Sequence, residues 1–208
     1  MIALQVSGNK GDETELDMSG KKMGAEGAIM LAPEIVANGA LASVNILANY
    51  IGVEEVNALV KIMESHESLK TLCGFSGDET ELDLSKKGLT TGCAVLVAHE
   101  VKNNGALTSL NISNNDLNDG ARGIQAICPA IAASTSTPLD ISSNKAGGNG
   151  GTEAVVDMLK NNGALTSLNI SNNLMATKEA GKALAEVLAA DTALKELNVS
   201  NNTDRGDG

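Results

Sequence analysis

Short stretches in which apolar and polar residues alternate recur along the chain at nearly constant intervals. The segment GALTSLNISNN occurs at residues 105–115 and again at 163–173, and five weaker copies occur elsewhere. In each copy a central apolar residue stands between two polar neighbours, which is the pattern of a strand with one buried face. We therefore predict seven strands, centred on Leu16, Val44, Leu82, Leu110, Leu139, Leu168 and Leu197.

The residues between these strands show the periodicity of helices. Apolar residues recur at spacings of three and four in the segments 54–65, 151–163 and 177–191. The sequence thus predicts a helix after each of the first six strands. Residues suited to helix ends flank these segments, namely Thr177 and Asp119 as N-caps and Gly39, Gly105 and Gly163 as C-terminal stops.

One strand and one helix together occupy 28 or 29 residues in all but one unit. Within a unit the pattern is L-x-x-L-x-L-x-x-N-x-L, as at Leu107, Leu110, Ile112, Asn115 and Leu117. The Asn five residues after the strand centre is suited to bind free backbone groups of neighbouring units. The pattern resembles the leucine-rich repeat family, in particular its ribonuclease-inhibitor-like class. The resemblance implies an α/β solenoid, a short horseshoe arc with a parallel concave sheet and convex helices, in a single domain of residues 1–208.

One interval departs from the repeat. Between Val44 and Leu82 lies an additional near-copy, ESLKTLCGF, whose Leu72 is 28 residues after Val44 and only 10 before Leu82. Ten residues are too few for the helix of a parallel crossover. We therefore predict a short hairpin-like or irregular insertion near residues 69–80. The sequence GDETELD occurs both at 77–83, beside this insertion, and at 11–17.

Composition and charge restrict the class of function. The chain is 42% apolar but only 1% aromatic, so its core must be built from aliphatic side chains. A net charge of −11 argues against binding to nucleic acids or to anionic membranes, both of which need a basic surface. Three cysteines, Cys73, Cys93 and Cys128, are an odd number in unrelated contexts, which favours a reducing, cytoplasmic location.

The sequence offers no constellation typical of an active site. His66 and His99 are 33 residues apart and far from any cysteine pair at ligand spacing, so we expect them on a solvated convex surface. Cys93 is expected to fill a small packing slot, and the carboxylates of GDETELD do not match a calcium-binding loop. We therefore predict that the protein is not an enzyme and that it uses no cofactor or metal.

The polar positions of the strands would line the concave surface. Its middle row is Asp or Asn in all seven units, and this row, the Asx row, consists of Asp17, Asn45, Asp83, Asn111, Asp140, Asn169 and Asn198. We expect it to stabilise the stack of strands. The strand positions carry six carboxylates and neither Lys, Arg nor aromatic residues. These carboxylates, here called the acidic face, are Glu15, Asp17, Glu81, Asp83, Asp140 and Glu196.

The acidic face is the candidate binding site for a protein partner with a basic surface. Repeats of this class usually act as recognition platforms, so the resemblance implies a non-catalytic interaction or scaffold module. A regulator of an enzyme such as a small GTPase, or a structural spacer in a larger assembly, are the alternatives. Binding hot spots are rich in Trp, Tyr and Arg, so their scarcity here favours a weak, charge-steered contact. The uncapped first and last strands are expected to permit self-association.

Overall fold

Strands and helices alternate through the chain. The computed structural model describes residues 11–117, 121–132, 138–145, 148–175, 178–190 and 193–202. The strands are β1 Glu15–Asp17, β2 Ser43–Asn45, β3 Glu81–Asp83, β4 Ser109–Asn111, β5 Pro138–Asp140, β6 Ser167–Asn169 and β7 Glu196–Asn198. The helices are α1 Gly24–Ala37, α2 Val53–Ser65, α3 Thr91–Val101, α4 Arg122–Ala132, α5 Gly148–Asn161 and α6 Lys178–Ala190.

The predicted strands and helices are confirmed. Each strand is centred on its predicted residue, and a helix follows each of the first six strands. The strands pair in parallel, with Leu110 opposite Leu139 and Leu139 opposite Leu168. The central residues of β2 to β6 are buried and pack with the apolar faces of the helices in a core of aliphatic side chains. The predicted N-caps Thr177 and Asp119 lie outside the described residues.

The strands form two sheets, whereas we expected one. β1 pairs with β2, and β3 to β7 form a second sheet. Between the sheets the segment 70–73 takes the next strand position beside β2. There, the backbone N–H groups of Val44 and Ile46 donate to the carbonyls of Thr71 and Leu72, both at 3.0 Å. The predicted insertion thus begins as an additional repeat strand that is bonded to β2.

A carboxylate takes the place of the neighbour that this additional strand lacks. One oxygen of Glu100, on α3, accepts hydrogen bonds from the N–H groups of Leu72 at 2.7 Å and Cys73 at 3.0 Å. Its other oxygen accepts from the hydroxyl of Thr71 at 2.7 Å. In the regular units such N–H groups donate to carbonyls of the next strand, as Leu84 donates to Asn111. Glu100 therefore satisfies backbone donors at the break between the sheets.

Buried asparagines connect successive units on the strand-to-helix side. The Nδ2 group of Asn144 donates to the carbonyls of Ile112 and Ile141, both at 3.0 Å, and its Oδ1 accepts from the N–H of Asn115. The role predicted for the Asn of the repeat is therefore confirmed. This asparagine ladder consists of Asn49, Asn115, Asn144, Asn173 and Asn202.

A second asparagine position ends the helices. Asn38 donates to the carbonyl of Glu13 at 2.9 Å and accepts from the N–H of Ala40 at 3.1 Å. Asn104 and Asn162 make the equivalent bonds. The glycines that follow, which we expected to act as left-handed stops, are not among the residues with positive φ. The polar side chain before each glycine is therefore the element that closes the helix and joins it to the preceding unit.

His66 occupies this second position in the unit of α2. Its Nε2 lies 3.1 Å from the carbonyl oxygen of Asn38, and its Nδ1 accepts from the N–H groups of Ser68 and Leu69 at 3.3 and 3.0 Å. The expectation of a solvated surface histidine is therefore wrong for His66. The reason is that its ring spans the same backbone groups as the shorter Asn side chain does in other units.

We expect His66→Asn to be tolerated and His66→Ala to be destabilising. Asn occupies the same position in three other units, so the variant should lose less than about 0.5 kcal/mol, whereas Ala leaves three half-buried backbone groups without partners and should cost about 1–2 kcal/mol. Urea unfolding of both variants measures the difference, with His99→Asn as the control on the helix surface. Equal losses for Asn and Ala would show that His66 is not a cap.

The cysteines are buried in the aliphatic core. Cys73, Cys93 and Cys128 are free thiols, and burial raises the pKa of Cys128 to about 12. Cys93 lies in a tight slot, where its sulfur is 3.4 Å from the N–H of Ala48. These surroundings keep the thiols in their neutral, unreactive form.

Candidate protein-binding face

The acidic face is spread over both sheets. Glu15 and Asp17 lie on β1, whereas Glu81 and Asp83 lie on β3 in the second sheet, and all four are exposed. Two further strand positions, β2 and the segment 70–73, lie between these pairs. Asp140 is half-buried on β5, and the exposed Glu196 is on β7 at the sheet edge. The structure therefore distributes the six carboxylates along the concave surface and does not gather them into one cluster.

Every side chain of the Asx row bonds to its own strand. In each of the seven units Oδ1 accepts from the backbone N–H two residues further on, at 2.9–3.1 Å. A bond between strands also occurs, from Nδ2 of Asn169 to Oδ2 of Asp140 at 3.0 Å. The row thus stabilises the turn at the end of each strand, and the expected link between strands is found at Asp140. Asp and Asn are interchangeable in this bond because both present an acceptor oxygen.

Hydrogen bonds from serines keep two of these carboxylates ionised. The backbone N–H and hydroxyl of Ser19 lower the pKa of Asp17, and those of Ser85 lower the pKa of Asp83. Nearby lysines act in the same direction, since Lys21 interacts with Asp17 and Lys86 and Lys87 with Asp83. The expectation that no basic side chain offsets these carboxylates is therefore wrong. The lysines follow the strands in sequence, and the turn brings them back toward the concave rim.

The remaining polar candidates have structural partners. Glu79 of the second GDETELD segment accepts from the N–H of Gly77 and from the hydroxyl of Ser76, so its carboxylate closes a turn. His99 on the convex side is 3.9 Å from Glu64. Within the part of the chain that the structure describes, no group of three or more His, Cys, Asp or Glu residues is arranged to bind a metal ion.

Solved structures with a similar backbone include three proteins. A structure titled "Leiomodin-1 Actin-Binding Site 2 (ABS2)" is 22% identical with a TM-score of 0.52, and the match covers 60% of this chain and 72% of that one. The leucine-rich repeat protein LegL7 from Legionella pneumophila is 23% identical with a TM-score of 0.42, over 95% of this chain and 60% of its own. An internalin from Listeria monocytogenes is 20% identical with a TM-score of 0.33, over 83% and 50%.

The chain is a leucine-rich repeat solenoid. Its repeat pattern, its alternating parallel strands and helices, and its structural neighbours agree on this fold. No protein-family model matches the sequence, and no curated protein does either. The solenoid spans less than two thirds of the Legionella and Listeria proteins. Among its described helices, none is both long and apolar enough to cross a membrane.

The sequence missed two kinds of residue at this face. The lysines of the rim, Lys21, Lys86 and Lys87, follow the strand pattern closely enough that a three-dimensional repeat template would have placed them. Tyr50 on the rim is 61% exposed and has a φ of 57°, in the left-handed region. Its equivalent in the unit of β3 is Gly88, which has a φ of 68°.

Proposed function

We propose that this solenoid is a non-catalytic protein-interaction or scaffold module whose acidic face binds a partner with a basic surface. We also propose that it belongs to the ribonuclease-inhibitor-like class, that residues 1–208 form a single domain and that the protein acts in the cytoplasm. Support for the single domain comes from a core in which buried residues from Met18 to Val187 form one cluster. Free, buried cysteines are consistent with a reducing compartment.

The observation that carries the proposal is the fixed geometry of the concave carboxylates. Ser19 and Ser85 hold Asp17 and Asp83 by backbone N–H groups at 2.9 and 3.0 Å, and both carboxylates are exposed. A side chain that is already ordered loses little conformational entropy when a partner binds. An array of fixed, ionised and exposed carboxylates is therefore suited to attract and orient Lys and Arg side chains.

The expected contact is modest in affinity. An exposed ion pair contributes about 0.2–1 kcal/mol, and physiological salt screens charges beyond about 8 Å. Lys21, Lys86 and Lys87 weaken the negative potential at the rim further. The acidic face thus favours fast, salt-sensitive association with a basic partner over tight binding.

The uncapped end offers a second route for association. Leu197 of β7 is half-buried, and Val199 directly after it is 43% exposed. An exposed strand edge of this kind is open to pairing with another chain. We therefore retain self-association through the ends as part of the proposal.

Charge substitutions within the Asx row test the acidic face. The variant Asp17→Asn/Asp83→Asn removes two charges, and Asn45→Asp/Asn111→Asp adds two, while all four side chains keep the same backbone bond. A decalysine peptide, titrated into the labelled protein by NMR, should shift the amide signals of Ser19 and Ser85. We expect the first variant to bind about fivefold more weakly and the second about fivefold more tightly, from roughly 0.5 kcal/mol per charge.

The two variants are matched controls for each other. Because they differ from the native chain in charge and not in shape, a similar melting temperature for all three proteins shows that any change in binding is electrostatic. Peptide-induced shifts confined to the convex helices, or affinities that neither variant alters, would exclude the acidic face as the binding site.

A further inference from the structure

The outward surface of α1 differs from that of the other helices. The outward positions lie 15, 11 and 8 residues before the centre of the next strand, and in α1 they are Ile29, Pro33 and Val36. In α2 and α5 the same three positions are all polar and exposed, namely Asn57, Lys61 and Glu64, and Glu153, Asp157 and Lys160. The convex side therefore carries an apolar stripe on α1 where its neighbours carry polar side chains.

This stripe is well exposed. Ile29 is 64% exposed and Val36 61%, and the neighbouring Met30 is 37% exposed. These residues, with Pro33, are here called the apolar ridge. α1 contains no Lys or Arg, and its exposed charged side chain is Glu26. Contiguous exposed apolar residues on a charged protein mark a contact site for another surface.

An apolar groove lies on the same side of the solenoid, between α5 and α6. Its volume is about 500 Å³, and Val156, Leu159, Ala183, Val187 and Ala190 contribute apolar side chains to its wall. The groove exists because α6 has small residues where it meets α5. Val187 stands at the position that Met158 takes in α5, ten residues before the next strand centre. Lys160 lies at the edge of the groove.

We propose that the chain self-associates head to tail, with the apolar ridge of one copy in the groove between α5 and α6 of a second copy. Charge favours this arrangement over a symmetric contact between two α1 helices. In the symmetric contact the two Glu26 carboxylates approach each other, whereas in the groove Glu26 approaches the cationic Lys160. The neighbouring groove between α4 and α5 is less suitable because Gln125, Glu153 and Asp157 line it.

A head-to-tail contact has a defined consequence for assembly. Each copy keeps a free ridge and a free groove, so the contact does not close on itself and chains of copies form as concentration rises. The ridge comprises a few side chains, so the interface is in the small, transient class, and association should appear at protein concentrations on the order of 0.1–1 mM. Since each copy carries a net charge of −11, added salt should strengthen this association.

The salt response separates this proposal from the acidic face. Binding of a basic peptide to the acidic face weakens as salt rises, whereas self-association through the ridge strengthens. The two proposals also use opposite sides of the solenoid, so either fails without the other.

Sedimentation equilibrium of the full chain and of two variants tests the contact. Ile29→Glu/Val36→Lys gives the ridge the residues that α5 has at the same outward positions, and Ala190→Glu places a charge at the exposed wall of the groove. We expect the native chain to show an average mass that rises with concentration. Each variant alone should associate at least tenfold more weakly, and both should keep the native melting temperature because the altered positions are exposed.

Mixing the two variants identifies the geometry. The ridge variant has an intact groove and the groove variant an intact ridge, so an equimolar mixture should form heterodimers but no longer species. Three results would each overturn the proposal: a native chain that stays monomeric at about 1 mM, a groove variant that associates like the native chain, and a mixture that stays monomeric. The second result would indicate a symmetric contact between ridges.

Discussion

Replacing Asn144 by Asp is expected to lower the free energy of unfolding by about 4 kcal/mol, although the two side chains have the same shape. Asn144 is fully buried in the asparagine ladder. Its Nδ2 group donates to the carbonyls of Ile112 and Ile141, and a carboxylate oxygen would face these carbonyls without a proton to share. The variant therefore combines a buried charge with unpaired backbone acceptors.

The matched control is the same substitution in the Asx row. Asn111→Asp keeps the acceptor oxygen that bonds to Ser113, and Asp occupies this position naturally in three units. We expect it to change stability by less than about 0.5 kcal/mol, as for a surface substitution. Urea unfolding of both variants measures the difference. If Asn144→Asp were within about 1 kcal/mol of Asn111→Asp, the ladder would not be the connection between units that its geometry indicates.

Replacing Glu100 by Ala is the second large effect that we expect, with a loss of about 3 kcal/mol. The change removes the acceptor for the N–H groups of Leu72 and Cys73 and for the hydroxyl of Thr71. Charge-assisted bonds of this kind contribute about 1.5–3 kcal/mol each, and water that enters the space would recover part of that. Glu100→Gln retains an acceptor oxygen and should lose about 1 kcal/mol, from the weaker neutral bonds.

The pH dependence of Glu100 has a defined sign. Burial raises the pKa of Glu100 in the folded protein, although bonds from Thr71, Leu72 and Cys73 act against this rise. The folded state therefore binds the Glu100 proton more tightly than the unfolded state does. The contribution of this proton to stability is fully present below the pKa of the unfolded glutamate, and it is lost as pH rises through the higher pKa of the folded protein.

Comparison of the native chain with Glu100→Gln isolates this contribution. The difference in unfolding free energy between the two proteins should change across the window above the ordinary glutamate pKa, with the native chain losing stability relative to the variant as pH rises. The lowered pKa values of Asp17 and Asp83 act in a more acidic window and with opposite sign. Glu153→Gln, at an exposed position of α5, is the control and should show no such change. A constant difference across pH for Glu100→Gln would contradict the burial of its carboxylate.

The sequence predicted the parts of the fold that repeat. Alternation around Leu110 and Leu168 located the strands, and the Asn at position 115 or 173 indicated a bond between units, because these features recur at a fixed interval and each copy supports the others. The same repetition placed the Asx row on the concave surface. Its bond to the following backbone N–H did not follow from the sequence, since both a bond within the strand and one between strands suit an Asp or Asn side chain.

The features that occur once were not predictable in this way. Glu100 lies in a helix segment where a carboxylate ordinarily faces solvent, and its bonds to Leu72 and Cys73 depend on the break between the sheets. His66 replaces an asparagine that the repeat pattern does not require explicitly. The apolar ridge was hidden for a different reason: in α1 both the inward and outward positions are apolar, so hydrophobicity alone does not distinguish Leu31 in the core from Ile29 on the surface.

The break between the sheets gives the solenoid a joint. The strand layer is interrupted between Cys73 and Glu81, while the helix layer continues because α2 packs against α3. In an array whose stability is a sum of contacts between neighbours, an interface with fewer bonds is where the cooperativity of unfolding is weakest. Glu15 and Asp17 stand on one side of this joint and Glu81 and Asp83 on the other. A basic partner that grips both pairs would act as a splint, and part of its binding energy would appear as resistance of the whole array to unfolding.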